Sequence, residues 1–170
     1  LYLGGFELYR RRNASGTVLE EIETHHLFEG EQRVLLVDDV IITNRTHANG
    51  TPYRTQPILR YQYGNHLGSV ALELDEAAQI FSYEEFHPYG SPAYVVADSG
   101  REAPARRYRY SGMERDEESG LDYHGLRYRQ PLLGPWLSPD PVGIGDGINV
   151  YRYVQSNPVS HRDPSGSQTV

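Results

Sequence analysis

Apolar and polar residues alternate with a period of two over several stretches of this chain. That alternation is typical of β-strands that bury one face, and two of the stretches are apolar, β-branched runs of the kind found in buried strands. The predicted strands cover residues 6–10, 17–22, 33–37, 40–43, 58–63, 69–74 and 80–86. Their short spacing predicts an antiparallel, all-β structure rather than a helical domain.

Turn-forming residues separate these strands. Asn13-Ala14-Ser15-Gly16 lies between the first two predicted strands, and Asp75-Glu76-Ala77-Ala78-Gln79 lies between the last two. The polar, breaker-rich stretch at residues 99–104 predicts a loop, across which we expect the sheet to continue without a domain boundary. Hairpins are expected between Tyr108 and Tyr128.

The amino-acid composition indicates that tyrosine supplies much of the interior. Hydrophobic residues make up only 38% of the 170 residues and the mean hydropathy is −0.63, which is low for a globular protein. The 14 tyrosines offset this, because a tyrosine covers apolar area while its hydroxyl stays hydrated or hydrogen-bonded. No stretch approaches the roughly 18 apolar residues that a membrane span needs, and no signal peptide is visible.

Charge and cysteine content exclude several functional classes. All 16 basic residues are arginine, and with 23 acidic residues the net charge is −7, which argues against non-specific nucleic-acid binding. Zero cysteines exclude disulfides, thiol nucleophiles and thiolate metal sites. The pair His25 and His26 near Glu23, and the separate His47 and His66, match no spacing of a known metal site. We therefore expect no cofactor, no bound metal and no nucleic-acid partner.

The end of the chain is built from turn motifs. Two Asp-Pro-x-Gly units, Asp140-Pro141-Val142-Gly143 and Asp163-Pro164-Ser165-Gly166, flank residues 147–153 and Asn157-Pro158. Each proline fixes φ and lacks an N–H, and each glycine can adopt positive φ, so both units predict tight turns.

The ordered motifs of the second half resemble a known family. Together with the two turn units they are similar to the conserved core terminus of Rhs (rearrangement hotspot) or YD-repeat proteins and to the C-component of bacterial insecticidal toxin complexes. The resemblance covers residues 107–166 most fully, while residues 1–60 rest mainly on the strand pattern. The upstream motifs that carry it are His66-Leu67-Gly68-Ser69-Val70, His87-Pro88-Tyr89-Gly90, Tyr108-Arg109-Tyr110-Ser111-Gly112, residues 114–123, Arg127-Tyr128 and Pro131.

The resemblance implies an architecture. In the resembling proteins a YD-repeat β-shell encloses a toxic C-terminal cargo, and the core terminus curls inward as a plug. By that likeness residues 1–106 are a YD-repeat-like sheet segment, residues 107–166 are the repeat-associated core terminus, and residues 167–170 begin a variable region or form a truncated tail. Because 170 residues supply too few strands to close a hollow shell, the chain is interpreted either as the end of a larger shell or as a smaller relative, and we favour a fragment of a longer protein.

The same resemblance implies partners and a location. The expected partners are the remainder of the shell, the C-terminal toxin cargo and a component of a delivery system. The protein would then be secreted, or delivered by a bacterial toxin system.

It also implies chemistry at the end of the chain. The resembling proteins cut themselves just beyond the second Asp-Pro-x-Gly unit, using two aspartates in the manner of an aspartic peptidase. Such a pair shares one proton, so that one carboxylate activates water and the other polarises the peptide carbonyl. Matched by motif, the catalytic candidates are Asp140 and Asp163. Asp146 is a third candidate, and Arg152 is a cation that could bind a carboxylate or the oxyanion.

Two features of the sequence keep a structural alternative open. An aspartate before proline commonly bonds its own backbone in a turn and needs no catalytic role. The expected cleavage region is Gly166 and Ser167, and Ser167 stands where the resembling proteins have leucine or another bulky apolar residue. The chain is therefore interpreted either as an encapsulating module with an autoproteolytic terminus, or as a structural or cell-surface YD-repeat domain without peptidase activity.

Overall fold

The computed structural model describes residues 2–43, 56–97, 106–116 and 118–170. Within those residues the predicted all-β class is confirmed, because strands dominate and the helical turns are three short 3₁₀ helices, Tyr110–Gly112, Gly143–Asp146 and Val154–Ser156. The strands are β1 (Tyr2–Leu3), β2 (Phe6–Arg12), β3 (Val18–Glu29), β4 (Gln32–Thr43), β5 (Ile58–Gly64), β6 (Val70–Leu74), β7 (Ile80–Phe86), β8 (Pro92–Ala97), β9 (Glu114–Asp116), β10 (Leu121–Tyr123) and β11 (Tyr128–Arg129).

Strands that are adjacent in sequence are also adjacent in the sheets. Strands β1 to β8 form one sheet in sequence order, and β9 to β11 form a smaller sheet with β10 at its centre. The pairing is antiparallel: Phe6 of β2 lies opposite His25 of β3, which lies opposite Val37 of β4, which lies opposite Leu59 of β5. Between Tyr108 and Tyr128, β9 and β10 form one of the expected hairpins.

Strand β4 is longer than its apolar runs. Residues 33–37 and 40–43 are predicted as two strands, yet they belong to one continuous strand, Gln32–Thr43. The intervening Asp38 does not end the strand, because neighbouring strands satisfy its buried side chain. Its Oδ1 accepts a hydrogen bond from Thr24 Oγ1 at 2.7 Å, and its Oδ2 accepts one from Arg60 Nε at 2.6 Å.

Both predicted turns are closed by a side-chain oxygen. Asn13 Oδ1 accepts hydrogen bonds from the backbone amides two and four residues later, at 3.1 and 2.9 Å. Asp75 Oδ1 does the same at 2.9 and 2.8 Å. Each oxygen substitutes for a backbone carbonyl, which is why these residue types favour turns. The predicted loop at residues 99–104 lies outside the described residues.

The described chain divides into two compact units, the first of which contains residues 2–43, 56–63 and 73–82. Much of the buried surface of this unit is polar. Arg60 lies between the carboxylates of Asp38 and Glu73, and Glu73 also accepts hydrogen bonds from Gln62 Nε2 at 2.8 Å and Ser82 Oγ at 2.7 Å. The unit therefore fills interior positions with ion pairs whose polar atoms are hydrogen-bonded.

The second unit contains residues 64–72, 83–96, 106–116 and 118–170. Its hydrophobic core consists of buried side chains from turns and 3₁₀ helices, with a residue of β7 packed against them. They are Tyr110, Trp136, Tyr153 and Val154, with Phe86 and Tyr89 packed against them. No helix among the described residues of either unit is long and apolar enough to cross a membrane.

The carboxylate of Asp38 should be a major source of stability in the first unit. Asp38→Ala is expected to lower the free energy of unfolding by about 3 kcal/mol, because Arg60 would stay buried with one of its two counter-ions removed. Asp39→Ala, the neighbouring residue on the other side of β4, is the matched control and should change it by less than about 1 kcal/mol. Urea unfolding of the 170-residue chain measures both, and equal losses would contradict the role given to Asp38.

Candidate functional site

A tight turn between β10 and β11 positions two side chains of the candidate site. The His124 N–H donates to the carbonyl of Arg127 at 3.0 Å, which closes the turn over Gly125 and Leu126. The turn is also attached to the end of the chain, since the Leu126 N–H donates to the carbonyl of Ser165 at 3.1 Å. The side chains of His124 and Arg127 are buried at its two ends.

The chain after Asp163 winds around the carboxylate of that residue. Asp163 is 2% exposed, and its Oδ1 accepts hydrogen bonds from four backbone amides at 2.8 to 3.2 Å, those of Ser165, Gly166, Ser167 and Gln168. The second Asp-Pro-x-Gly unit is therefore a turn, as predicted. The other oxygen, Oδ2, faces Arg127, whose Nη2 lies 3.4 Å away.

Asp140 divides its carboxylate in the same way. Its Oδ1 accepts a hydrogen bond from the Val142 amide at 2.9 Å, and its Oδ2 lies 2.9 Å from Arg127 Nη2. The Asp140 N–H donates to the carbonyl of Val150 at 2.9 Å, which fixes the turn against the following segment. The two predicted aspartates, far apart in sequence, thus face the same guanidinium nitrogen.

Arg127 joins both aspartates to the expected cleavage region. While its Nη2 faces the two Oδ2 atoms, its Nε donates to the carbonyl oxygen of Gly166. The flat guanidinium also lies over Trp136, with Cζ 4.1 Å from the ring centre. A planar fork of permanent donors suits this geometry, which a lysine could not reproduce. The sequence analysis did not assign Arg127 to the site. The one indication in the sequence was that Arg127 belongs to the Arg127-Tyr128 motif of the resembling family.

The two other predicted site residues lie in the segment between the turns. Arg152 packs against the backbone of Gly147, where an added Cβ would lie 2.9 Å from Arg152 Nη2. Asp146 ends the 3₁₀ helix Gly143–Asp146, and its side chain lies outside the described part of the structure. The catalytic roles of both residues stay predictions.

Gly166 occupies a position that has no room for a side chain. A Cβ atom there would lie 2.7 Å from the carbonyl oxygen of His124 and 2.9 Å from the amide nitrogen of Arg127. Its φ of +76° is also in the left-handed region that favours glycine. The glycine therefore lets two backbone segments approach closely, and this approach brings its carbonyl to Arg127.

His124 holds the same segment from the other direction. Its Nδ1 lies 2.6 Å from the carbonyl oxygen of Asp163, so Nδ1 carries the proton. The ring packs edge-on against Trp136 and Tyr153, with centroid distances of 4.9 and 5.8 Å. Burial, reinforced by the charge of Arg129, lowers the pKa of His124 to about 3, so the ring is neutral at physiological pH.

A second buried arginine fixes the strands that carry this turn. Asp122 of β10 lies opposite Arg115 of β9 and Arg129 of β11 in the register of the small sheet. Its Oδ1 accepts a hydrogen bond from Arg115 Nε, and its Oδ2 lies 2.7 Å from Arg129 Nη2. The Arg129 guanidinium lies between two rings, 4.9 Å from the centre of Tyr110 and 4.4 Å from that of Tyr153.

Two of the histidines that were weighed as metal ligands have other neighbours. His26 Nε2 lies 3.4 Å from Glu7 Oε2, and His66 Nε2 lies 2.8 Å from the carbonyl oxygen of Val159. Within the ranges that the structure describes, no group of three or more His, Cys, Asp and Glu side chains could hold a metal ion. His47 lies outside those ranges.

Comparisons with known proteins agree with the motifs. No protein-family model matches the chain. Toxin subunit YenC1 of Yersinia entomophaga is 51% identical over 108 residues, which is 64% of this chain and 11% of that protein. Toxin protein Tse5 of Pseudomonas aeruginosa is 42% identical over 108 residues, or 64% of this chain and 8% of that protein.

A solved structure matches almost the whole chain. The crystal structure of TcdB2-TccC3 is similar over 97% of this chain, with a TM-score of 0.84 and 40% sequence identity, and the match covers 8% of that chain. This chain therefore spans 11% or less of the length of each protein described. The likeness covers both the fold and the sequence.

The close approach at Gly166 can be measured with a pair of alanine variants. Gly166→Ala is expected to lower the free energy of unfolding by about 3 kcal/mol, because left-handed strain adds to overpacking against two backbones. Gly120→Ala is the matched control, since Gly120 has φ +72° but nothing within 4 Å of an added Cβ. Gly120→Ala should lower the free energy of unfolding only by the left-handed strain, about 1–2 kcal/mol. Equal losses in urea unfolding would contradict the close approach.

Buried, neutral His124 should make stability depend on pH. Its pKa of about 3 in the folded state lies below the ordinary 6.5, so the unfolded state binds the extra proton between these values. Stability is then full above pH 6.5 and falls as the pH drops, by about 2 kcal/mol at pH 5 from this group alone.

The measurement is urea unfolding at pH 7, 6 and 5. His124→Asn should lose less stability on acidification than the wild type, because the group with the lowered pKa is gone. His87→Asn replaces an exposed histidine and should keep the wild-type dependence. If the stability of the wild type and of His124→Asn falls equally with decreasing pH, His124 does not cause the pH dependence.

Proposed function

The chain belongs to the Rhs-type, YD-repeat toxin proteins, and we propose that it forms the C-terminal part of a β-shell that encloses a toxic cargo. In this proposal residues 1–106 are a segment of the shell sheet and residues 107–166 are the core terminus. Residues 167–170 begin the variable region or form a truncated tail. The core terminus cuts the chain just after the second Asp-Pro-x-Gly unit and so frees the cargo.

One observation supports the self-cleavage part of the proposal. The guanidinium of Arg127 contacts Asp140, Asp163 and the Gly166 carbonyl at once. Peptide hydrolysis needs a polarised carbonyl, an activated nucleophile and a proton for the departing amine. The groups gathered around Arg127 can serve each of these requirements.

Arg127 and the two carboxylates divide these tasks. Arg127 Nε donates to the Gly166 oxygen and would stabilise the negative charge that develops on it during attack. Asp163 Oδ1 lies 3.2 Å from the nitrogen of Ser167, which would become the departing amine. An aspartic-peptidase mechanism would require Asp140 and Asp163 to share one proton during the reaction, and Arg127, which contacts both, would stabilise the remaining negative charge.

The shell, the cargo and the delivery route are proposed from the relatives. The matched proteins include a toxin subunit and a toxin protein, each many times longer than this chain. The remainder of such a protein would supply the rest of the shell and the cargo, and a bacterial toxin system would deliver or secrete the assembly. Inside the shell, the core terminus would form the inward-curling plug.

A second observation favours the structural alternative. Both aspartates use one oxygen to close a turn, since Asp163 Oδ1 accepts four backbone amides and Asp140 Oδ1 accepts that of Val142. In this alternative Arg127 is a buried counter-ion, the domain is structural or lies at the cell surface, and the chain remains whole.

Self-cleavage is tested by intact mass of the full natural chain that contains this sequence. We expect a product that ends at, or within a few residues of, Gly166. Asp140→Asn and Asp163→Asn should each abolish it, because an amide can neither share the proton nor activate a nucleophile. Asp75→Asn is the matched control, since Asp75 closes a similar turn away from Arg127, and it should cut at the wild-type rate.

Arginine variants separate the roles of the two candidate cations. Arg127→Lys keeps the charge but loses the fork, and should slow cleavage by about 100-fold. Arg152→Ala should slow it less, and Asp146→Asn least. Wild-type rates in Asp140→Asn or Asp163→Asn would rule out the aspartate mechanism, and an uncut wild-type chain would establish the structural alternative.

A further inference from the structure

Two serine hydroxyls and a carboxylate form a hydrogen-bonded series at the end of the chain. The Ser165 Oγ donates to Asp163 Oδ1 at 3.2 Å, and the Ser167 Oγ lies 3.0 Å from the Ser165 Oγ. A hydroxyl has one proton to donate. Because Ser165 gives its proton to Asp163, Ser167 must be the donor to Ser165. The series therefore runs from Ser167 to Asp163, the direction in which a proton would leave the Ser167 hydroxyl.

The peptide bond before Ser167 is held by the same groups. The Gly166 carbonyl accepts a hydrogen bond from Arg127 Nε, and the Ser167 N–H donates to Asp163 Oδ1 at 3.2 Å. One oxygen of Asp163 is thus bonded both to the series that begins at the Ser167 hydroxyl and to the nitrogen of the peptide bond. A single carboxylate could take a proton from the first and give it to the second.

The carbonyl is also immobilised relative to these groups. An added Cβ on Gly166 would meet the backbones of His124 and Arg127 below 3.0 Å, so that residue cannot shift toward them. On the next residue back, the Ser165 carbonyl accepts the Leu126 N–H at 3.1 Å. The rate of attack by a side chain on a neighbouring carbonyl rises most when the attacking group and the carbonyl are both held in position.

We propose that Ser167 is the nucleophile of the first step, and that the chain is cut at the Gly166–Ser167 bond through an N→O acyl shift. This inference rests on the proposed self-cleavage and names its bond and its attacking group. It also gives a chemical role to the serine that stands where an apolar residue was expected.

The step balances as follows. The Ser167 Oγ forms a bond to the carbonyl carbon of Gly166, its proton passes through the Ser165 Oγ to Asp163, and the carbonyl electron pair moves onto the oxygen that Arg127 holds. When the carbonyl reforms, the C–N bond breaks and the proton on Asp163 moves to the Ser167 nitrogen. The product is an ester with a free amine. One water molecule then hydrolyses the ester, which restores the Ser167 hydroxyl and leaves a carboxylate on Gly166.

Solvent can reach the intermediate, because Ser165 is exposed and Ser167 is half-buried. The ester should therefore be open to added nucleophiles, which a chain cut directly by water would not be. This difference distinguishes the acyl shift from attack by water on the same bond.

The experiment follows the full natural chain by intact mass, with and without hydroxylamine. The expected wild-type product ends at Gly166, and hydroxylamine converts part of it into a Gly166 hydroxamate. Ser167→Ala should give no cut at this bond. Ser167→Cys should cut through a thioester, and added thiol should accelerate it. Ser165→Ala should slow the cut by about 100-fold through loss of the proton series. Ser160→Ala, an exposed serine outside the series, is the matched control and should leave the rate unchanged.

The outcomes separate this inference from the proposed function. A cut at another bond, or an unchanged cleavage rate in Ser167→Ala, overturns the role of Ser167. If Asp163→Asn abolishes cleavage in that case, the proposed aspartate-dependent cleavage is still supported. A thiol-insensitive Ser167→Cys chain that cuts at the wild-type rate also overturns the acyl shift. A wild-type chain that stays whole overturns both proposals.

Discussion

A buried guanidinium cannot lose its proton, so Arg127 needs compensating negative charge wherever the chain folds around it. Asp140 and Asp163 supply that charge, and each belongs to a separate Asp-Pro-x-Gly turn. The need to neutralise one cation therefore holds two remote turns together. The Gly166 and Val150 carbonyls and the Trp136 ring also contact the same group. The arrangement of the whole C-terminal segment depends on this contact.

Buried arginine–carboxylate clusters occur in both units. Arg60 lies between Asp38 and Glu73 in the first unit, and in the second Asp122 lies between Arg115 and Arg129. These interior positions hold ion pairs where other proteins hold leucine or valine, which contributes to the low mean hydropathy of −0.63. They also suit a chain whose basic residues are all arginine, because the planar fork can satisfy several acceptors at once.

The turn role and the chemical role of the aspartates are physically compatible. In both Asp140 and Asp163, one oxygen accepts backbone amides and the other faces Arg127. The turn bonds orient the carboxylate, and in Asp163 the oxygen that accepts them also lies next to the Ser167 nitrogen. A carboxylate held in this way is preorganised, which is what catalysis requires of its groups and also what a stable turn provides.

Local features of the structure could be read from the sequence. Strand alternation predicted the antiparallel sheet, and the turns at Asn13 and Asp75 formed as expected, because each depends on residues within a few positions of one another. The length of β4 could not be read in this way, since Asp38 is accepted into the strand only through Thr24 and Arg60 on neighbouring strands.

In the candidate site, too, some features could be predicted from the sequence and others could not. Family motifs singled out Asp140 and Asp163, and the structure places both against one cation, Arg127, which the sequence reasoning had not selected. The role of Arg152 stays a prediction. The contact of Arg127 with the two carboxylates depends on the β10–β11 turn packing against the chain after Asp163, a contact between segments about 40 residues apart. The sequence by itself indicated most strands of the large sheet, the turns at Asn13 and Asp75 and, through the family motifs, the two aspartates. The tertiary structure alone decided which buried charges meet, because an ion pair is selected by distance in space and burial, neither of which a local pattern contains.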